Sequence, residues 1–181
     1  DPSEFGYDNV QVTHAWTQDP EQTQKLARAS RITNTVVNID DMLDEVDGVI
    51  IARDDYETHY PLAKTFLEEG KFVFIDKPLS LDIAELRFFR KYLEDGQLMS
   101  CSGARYAREL DEIRGNIGSF GDMKLIRGTV VNSMEKYGIH MLDGIFGVSG
   151  FQVKSVSCVE AKHTSMMIKN TDGSLIYVDA L

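Results

Sequence analysis

Basic charge is what this chain lacks most: 19 lysines and arginines stand against 29 aspartates and glutamates, a formal net charge of −10. A nucleic acid or an anionic membrane needs a basic face, so neither is an expected partner, although a few local lysines can still meet a small anion. Cysteine is nearly absent. Cys101 and Cys158 are the only two and stand far apart, which builds neither a disulfide framework nor a metal-ligand pattern. They read as free thiols of a cytoplasmic protein, with no metal site expected. No apolar run approaches the ~18 residues of a membrane span, and Asp1-Pro2-Ser3-Glu4 is unlike a signal peptide. The missing initiator methionine suggests a chain that starts partway into a gene product. Internal repeats and low-complexity linkers are missing too.

What is present suffices for a substantial core: of 181 residues, 43% are hydrophobic and 27% charged, enough for one domain or two small ones. The organising stretch is Phe72-Val73-Phe74-Ile75-Asp76-Lys77-Pro78. A continuous apolar run rich in aromatic and β-branched residues predicts a strand buried on both faces, as in parallel sheets covered by helices. Ligands of such sheets bind beyond the carboxyl ends of the strands. Lys77 therefore stands where a substrate would sit, with Pro78 fixing φ and restricting the residues before it.

Around that run, strands and helices alternate. Val10 to Trp16 reads as a strand, and Asp19-Pro20-Glu21 opens a helix reaching Ala29. Further strands are expected at Thr35 to Asn38, Val49 to Ala52 and Leu98 to Cys101, with helices from Asp40 to Val46, Thr58 to Glu69 and Leu81 to Glu94. Four or five such units in about a hundred residues predict a doubly wound parallel sheet over residues 1–103. Residues 104–181 read differently. A helix from Ala107 to Ile117, a strand from Lys124 to Val131 and a helix from Glu135 to Phe146 precede three strand runs, Val153 to Val159, Thr164 to Lys169 and Ser174 to Val178. The last two are joined by Asn170-Thr171-Asp172-Gly173, a hairpin signal, so this part is expected to be an α+β domain with an open, mainly antiparallel sheet.

Four pieces taken in order resemble one family: Val46-Asp47-Gly48-Val49-Ile50-Ile51-Ala52, then His59, then Gly70-Lys71-Phe72 through Pro78, then Tyr137-Gly138-Ile139-His140-Met141-Leu142-Asp143. The resemblance is to the glucose-fructose oxidoreductase, inositol dehydrogenase and MocA (Gfo/Idh/MocA) family. It implies a Rossmann-like domain binding NAD or NADP, a second domain that binds substrate and assembles a dimer or tetramer, and hydride transfer to or from a secondary hydroxyl of a sugar, cyclitol or related polyol, phosphorylated or not. The glycine-rich phosphate loop belonging to that picture, with the strand before it, is not in the sequence. It is expected ahead of Asp1, just as the second domain is expected to continue past Leu181; the alternative is a protein that is not a working dehydrogenase. Asp76 stands where the family usually has glutamate, and Lys136 where many members have an aspartate.

By resemblance, Lys77 holds the substrate hydroxyl near the nicotinamide and His140 accepts its proton. An imidazole suits that task because its ordinary pKa of ~6.5 needs little tuning. Spacings of three and four put Lys136, His140 and Asp143 on one helix face. Lys136 reads as a second acid/base, as a clamp for an anionic substrate, or as a solvated first-turn residue. Two ammonium groups ~4 Å apart repel by about 4 kcal/mol at an effective dielectric of ~20, a cost that something must compensate. The remaining cofactor-side candidates are Trp16, Thr17, Ala52, Arg53, Asp54, His59, Asp76 and Pro78; Tyr106 and Tyr137 join Lys136 and His140 on the substrate side. Thr17, at the place of the ribose-binding acid, leaves NAD against NADP open. A nucleotide- or sugar-sensing regulator without turnover is the alternative function.

Overall fold

The structure, a computed structural model, describes residues 9–160 and 162–181; the Asp1-Pro2-Ser3-Glu4 start lies outside the described residues. Two regions follow one another. In the first, β1 (His14–Ala15), β2 (Asn34–Thr35), β3 (Gly48–Ile51), β4 (Phe72–Asp76) and β5 (Leu98–Cys101) alternate with α1 (Pro20–Ser30), α2 (His59–Glu68) and α3 (Ile83–Glu94). All pairings are parallel, in two sheets ordered β1-β2 and β3-β4-β5. Between β2 and β3 the expected helix is only a 3-10 turn, Ile39–Met42, capped by Asn38.

Local chemistry explains the boundaries. The Asp19 carboxylate accepts from the Glu21 and Gln22 amides, Pro20 takes the first turn, and Arg31 closes α1 in the left-handed region. At α3 the Asp82 carboxylate accepts from Ala84 and Glu85, moving the helix start two residues past Leu81. Gly48 lets β3 lie close to β4, since a Cβ there would sit 2.7 Å from the Phe72 carbonyl oxygen.

The first core forms on one side of β3-β4-β5. Phe66 and Leu67 of α2 and Phe89 and Tyr92 of α3 bury Ile51, Val73, Ile75 and Leu98. A fully buried Phe or Leu side chain contributes about 1.5–3 kcal/mol. The other side of the sheet departs from expectation: Phe72 is 65% and Ile50 67% exposed, so β4 is not buried on both faces. Successive side chains alternate across a strand. Both helices pack the face of Val73 and Ile75, whereas the face of Phe72 is exposed at Phe72 and only partly buried at Phe74.

In the second region, the helix expected from Ala107 to Ile117 is broken into a 3-10 turn, Arg108–Leu110, the short helix α4 (Asp111–Asn116) and a second 3-10 turn, Ile117–Phe120. Then β6 (Leu125–Val130), α5 (Met134–Ser149), β7 (Val153–Glu160), β8 (Thr164–Asn170) and β9 (Leu175–Ala180) build a four-stranded sheet ordered β6-β9-β8-β7. It is mixed: β6 runs parallel to β9, and the other two pairings are antiparallel. The β8–β9 hairpin turns at Gly173, whose φ of +90° a side chain would strain. Helix α5 starts at an N-cap, Ser133, and buries Ile145 on Ile168, Ile176 and Val178. Its other side rests on the turn Gly103–Tyr106 that follows β5, with Gly147 so close that a Cβ would meet the Arg105 carbonyl oxygen at 3.0 Å. That packing joins the two regions.

Candidate active site

Beyond the carboxyl ends of β3 and β4, facing the first turn of α5, lies a cleft of about 90 Å³ lined by Asp54, Lys77, Pro78, Lys136 and Tyr137. Complete ligand pockets run to ~300–1,000 Å³, so these residues form a floor and one wall. The floor follows from the sequence. Pro78 has no amide hydrogen to continue the ladder, so the chain leaves the sheet after Asp76, and the Lys77–Pro78 bond is cis. Lys77 is turned inward with its side chain 18% exposed, its ammonium 3.4 Å from Asp76 and 3.5 Å from Asp54. Those two carboxylates supply the compensation that neighbouring lysines require. Lys136, exposed across the cleft, has no carboxylate within 4.0 Å among the described residues.

One turn along α5 from Lys136, His140 is half-buried beside Tyr137, the ring centroids 6.1 Å apart. Its Nδ1 lies 2.6 Å from the hydroxyl of Ser102, and its Nε2 has no protein partner among the described residues. Asp143 completes the helix face: its carboxylate accepts from the Ser102 amide at 2.5 Å and from the Arg105 guanidinium at 3.2 Å. Burial raises the Cys101 thiol, with Asp143 adding to the effect. Ser102 and Arg105 were not singled out from the sequence. The available signal was position, since they directly follow the carboxyl end of β5.

The other candidates sit elsewhere. Arg53 donates to Gln18 and to both Asp55 oxygens, and its guanidinium holds the Asp55 carboxyl below the usual range. His59 is fully buried, with Nδ1 3.2 Å from the Leu79 carbonyl and Nε2 3.1 Å from that of Arg53, so neither ring nitrogen is left for a ligand. The Thr17 hydroxyl donates to the Asp19 carbonyl at the entrance to α1. Trp16 packs on the first core and donates to the Val37 carbonyl. Ala52 is exposed just after β3, and Tyr106 is 61% exposed and outside the cleft lining. Lys77, Asp54, Pro78, Lys136 and Tyr137 thus come together, with Asp76 behind Lys77 and His140 one turn away.

A partly buried cation at the end of a parallel strand and an imidazole nitrogen on α5 form a donor set that fits the redox end of a dinucleotide and an oxygen-bearing substrate. A pyrophosphate-binding glycine loop is not among the described residues. Nor is any cluster of three or more metal-ligating side chains, or a helix long and apolar enough to cross a membrane.

Comparison with known proteins agrees with this geometry. The model of an oxidoreductase family with an NAD-binding Rossmann fold matches residues 4–100. A search among curated proteins finds no match. Among solved structures, the chain is similar to myo-inositol 2-dehydrogenase from Lactobacillus plantarum, with a TM-score of 0.78 at 17% identity over 95% of this chain and 62% of that one. Apo scyllo-inositol dehydrogenase from Lactobacillus casei gives 0.76 at 18% identity, covering 97% and 62%. The WlbA dehydrogenase from Bordetella pertussis, in complex with NADH and UDP-GlcNAcA, gives 0.80 at 15%, covering 95% and 59%. The chain therefore spans about six tenths of the structures it matches, and at these identities the likeness is one of fold.

Proposed function

Because this chain belongs to the Gfo/Idh/MocA family of oxidoreductases with an NAD-binding Rossmann fold, we propose that it is part of an NAD(P)-dependent oxidoreductase acting on a secondary hydroxyl of a sugar, cyclitol or related polyol. One observation carries the reading: the lysine after β4 and the first turn of α5 line the same cleft, so groups from both regions meet one small ligand. When bound, the nicotinamide cofactor, NAD or NADP, supplies or takes the hydride. Lys77 is the cation that holds the reacting oxygen as charge develops on it, steadied by Asp76 and Asp54. His140 meets the same oxygen through Nε2. Tyr137 and Lys136 contact the rest of the substrate, and Lys136, without a carboxylate partner, suits an anionic substituent.

The division into a nucleotide domain, residues 1–103, and a substrate domain, 104–181, accords with the change of sheet type after β5. Self-association as a dimer or tetramer is part of the same proposal, with β7 as the available edge: its Val153, Val156 and Val159 are 48–59% exposed. A monomer mass by light scattering would remove that element.

A regulator that binds nucleotide or sugar without turnover is the second reading, favoured by a lysine at 136. One experiment separates the two. NADH and then NADPH are titrated into the intact protein while Trp16, the only tryptophan, reports quenching and energy transfer to the nicotinamide; turnover is then screened with polyols, sugars and their phosphates, with Lys77→Met as control. Saturable binding with Lys77-dependent turnover is expected. Binding without turnover selects the regulator, and no binding of either cofactor by folded protein sinks the dehydrogenase.

A further inference from the structure

The chain order leaves NAD against NADP open, because Thr17 stands where an acid would favour NAD, and no arginine lies beside it in sequence. The fold brings one there from 35 residues away. Arg53, just past β3, donates through Nη1 to the side chain of Gln18, just past β1, although the two strands belong to different sheets. Among the described residues it is the only lysine or arginine hydrogen-bonded to the turn of Thr17 and Gln18. A bare guanidinium in that place would suit the 2′-phosphate of NADP, which its planar fork can grip through two parallel N–H bonds.

This guanidinium is not bare. Its Nε and Nη2 donate to the two carboxylate oxygens of Asp55, the first at 2.8 Å. The pairing holds the Asp55 carboxyl below its usual range, so the acid is ionised at neutral pH. One forked edge of Arg53 is thereby filled and its charge is cancelled. The turn offers nothing in exchange: the Thr17 hydroxyl gives its proton to the Asp19 carbonyl, the Asp19 carboxylate caps α1, and Glu21 stands in the first turn of that helix. Lys25 and Arg28 lie farther along α1 and make no hydrogen bond to the turn. A phosphate arriving here would meet carboxylates around a neutralised cation, an arrangement of like charges that selects against it.

We propose that Asp55 is a specificity-determining residue: by occupying Arg53 it turns the cofactor site toward NAD and against NADP. This rests on the proposed function and goes beyond it, since that reading is satisfied by either cofactor.

The test compares affinities and needs no turnover. NADH and NADPH are titrated separately into the intact protein at one fixed ionic strength, with Trp16 fluorescence as the readout. The wild type should bind NADH at least about ten-fold more tightly, the size of one charge-assisted hydrogen bond. Asp55→Asn keeps an oxygen for Arg53 but removes the opposing charge, so NADPH should gain about ten-fold relative to NADH. Combining Arg53→Ala with Asp55→Asn removes the unmasked cation and should abolish that gain. Circular dichroism confirms that each variant is folded; should Asp55→Asn not fold, Asp55→Ala replaces it with the same gain expected. NADPH bound by the wild type as tightly as NADH, an unchanged ratio in folded Asp55→Asn, or a gain that survives in the double variant overturns the inference, and each of these leaves the dehydrogenase reading standing. Binding of neither cofactor by the folded wild type overturns both.

Discussion

Replacing Asp143 should weaken the contact between the two regions. Its side chain, 13% exposed, accepts from the Ser102 amide and from Arg105, and Arg105 is 40% exposed. A hydrogen bond to a charged acceptor contributes about 1.5–3 kcal/mol. The half-exposed ion pair, screened by water, adds only about 0.2–1 kcal/mol. Asp143→Ala should therefore cost about 2–4 kcal/mol. Asp143→Asn keeps one acceptor for the Ser102 amide and should cost about 1 kcal/mol, with Arg105→Ala at or below that. In urea, with an m-value of about 2 kcal/mol per molar, the alanine variant's midpoint should fall by about 1–2 M. Circular dichroism at several urea concentrations measures it. A fall below about 0.3 M, or an Arg105→Ala variant less stable than Asp143→Ala, would refute the assignment of the stabilisation to the buried amide bond.

Three other outcomes follow from the geometry. Gly48→Ala places a Cβ 2.7 Å from the Phe72 carbonyl oxygen, which is backbone and cannot swing away; a loss of about 1–3 kcal/mol is expected, and an unchanged urea midpoint would contradict it. Arg127 and then Ser165 hold the Asp179 carboxyl below its usual range. Its contribution is complete above the unfolded value of ~3.9 and disappears as the pH falls through the lower folded value. Asp179→Asn should accordingly be less stable than wild type at neutral pH and converge with it in acid; a gap that stays constant down to about pH 2 would exclude this. Cys158 is exposed, whereas burial raises the Cys101 thiol. A disulfide reagent near pH 8 should label Cys158 first, and equal rates would count against the burial of Cys101.

Much of this was legible in the chain because it is local. The apolar run that breaks at Asp76-Lys77-Pro78 announces a strand end, and three-and-four spacing puts Lys136 and His140 on one face of α5. The hairpin at Asp172-Gly173 is where the dipeptide places it. What could not be read depends on partners distant in sequence. Phe72 looks like core from its neighbours, yet its exposure depends on which side α2 and α3 take. Ser102 and His140 are 38 residues apart, and no periodicity links a turn serine to a helical imidazole. His59 looked like a ligand-facing residue because it follows a strand end, but burial turns both its nitrogens onto carbonyls.

That imidazole also has a mechanical consequence. Fully buried with one ring nitrogen against the carbonyl of Arg53 and the other against that of Leu79, His59 packs the segment after β3 against the segment after β4, so the residues bearing Asp54 and Lys77 share one support.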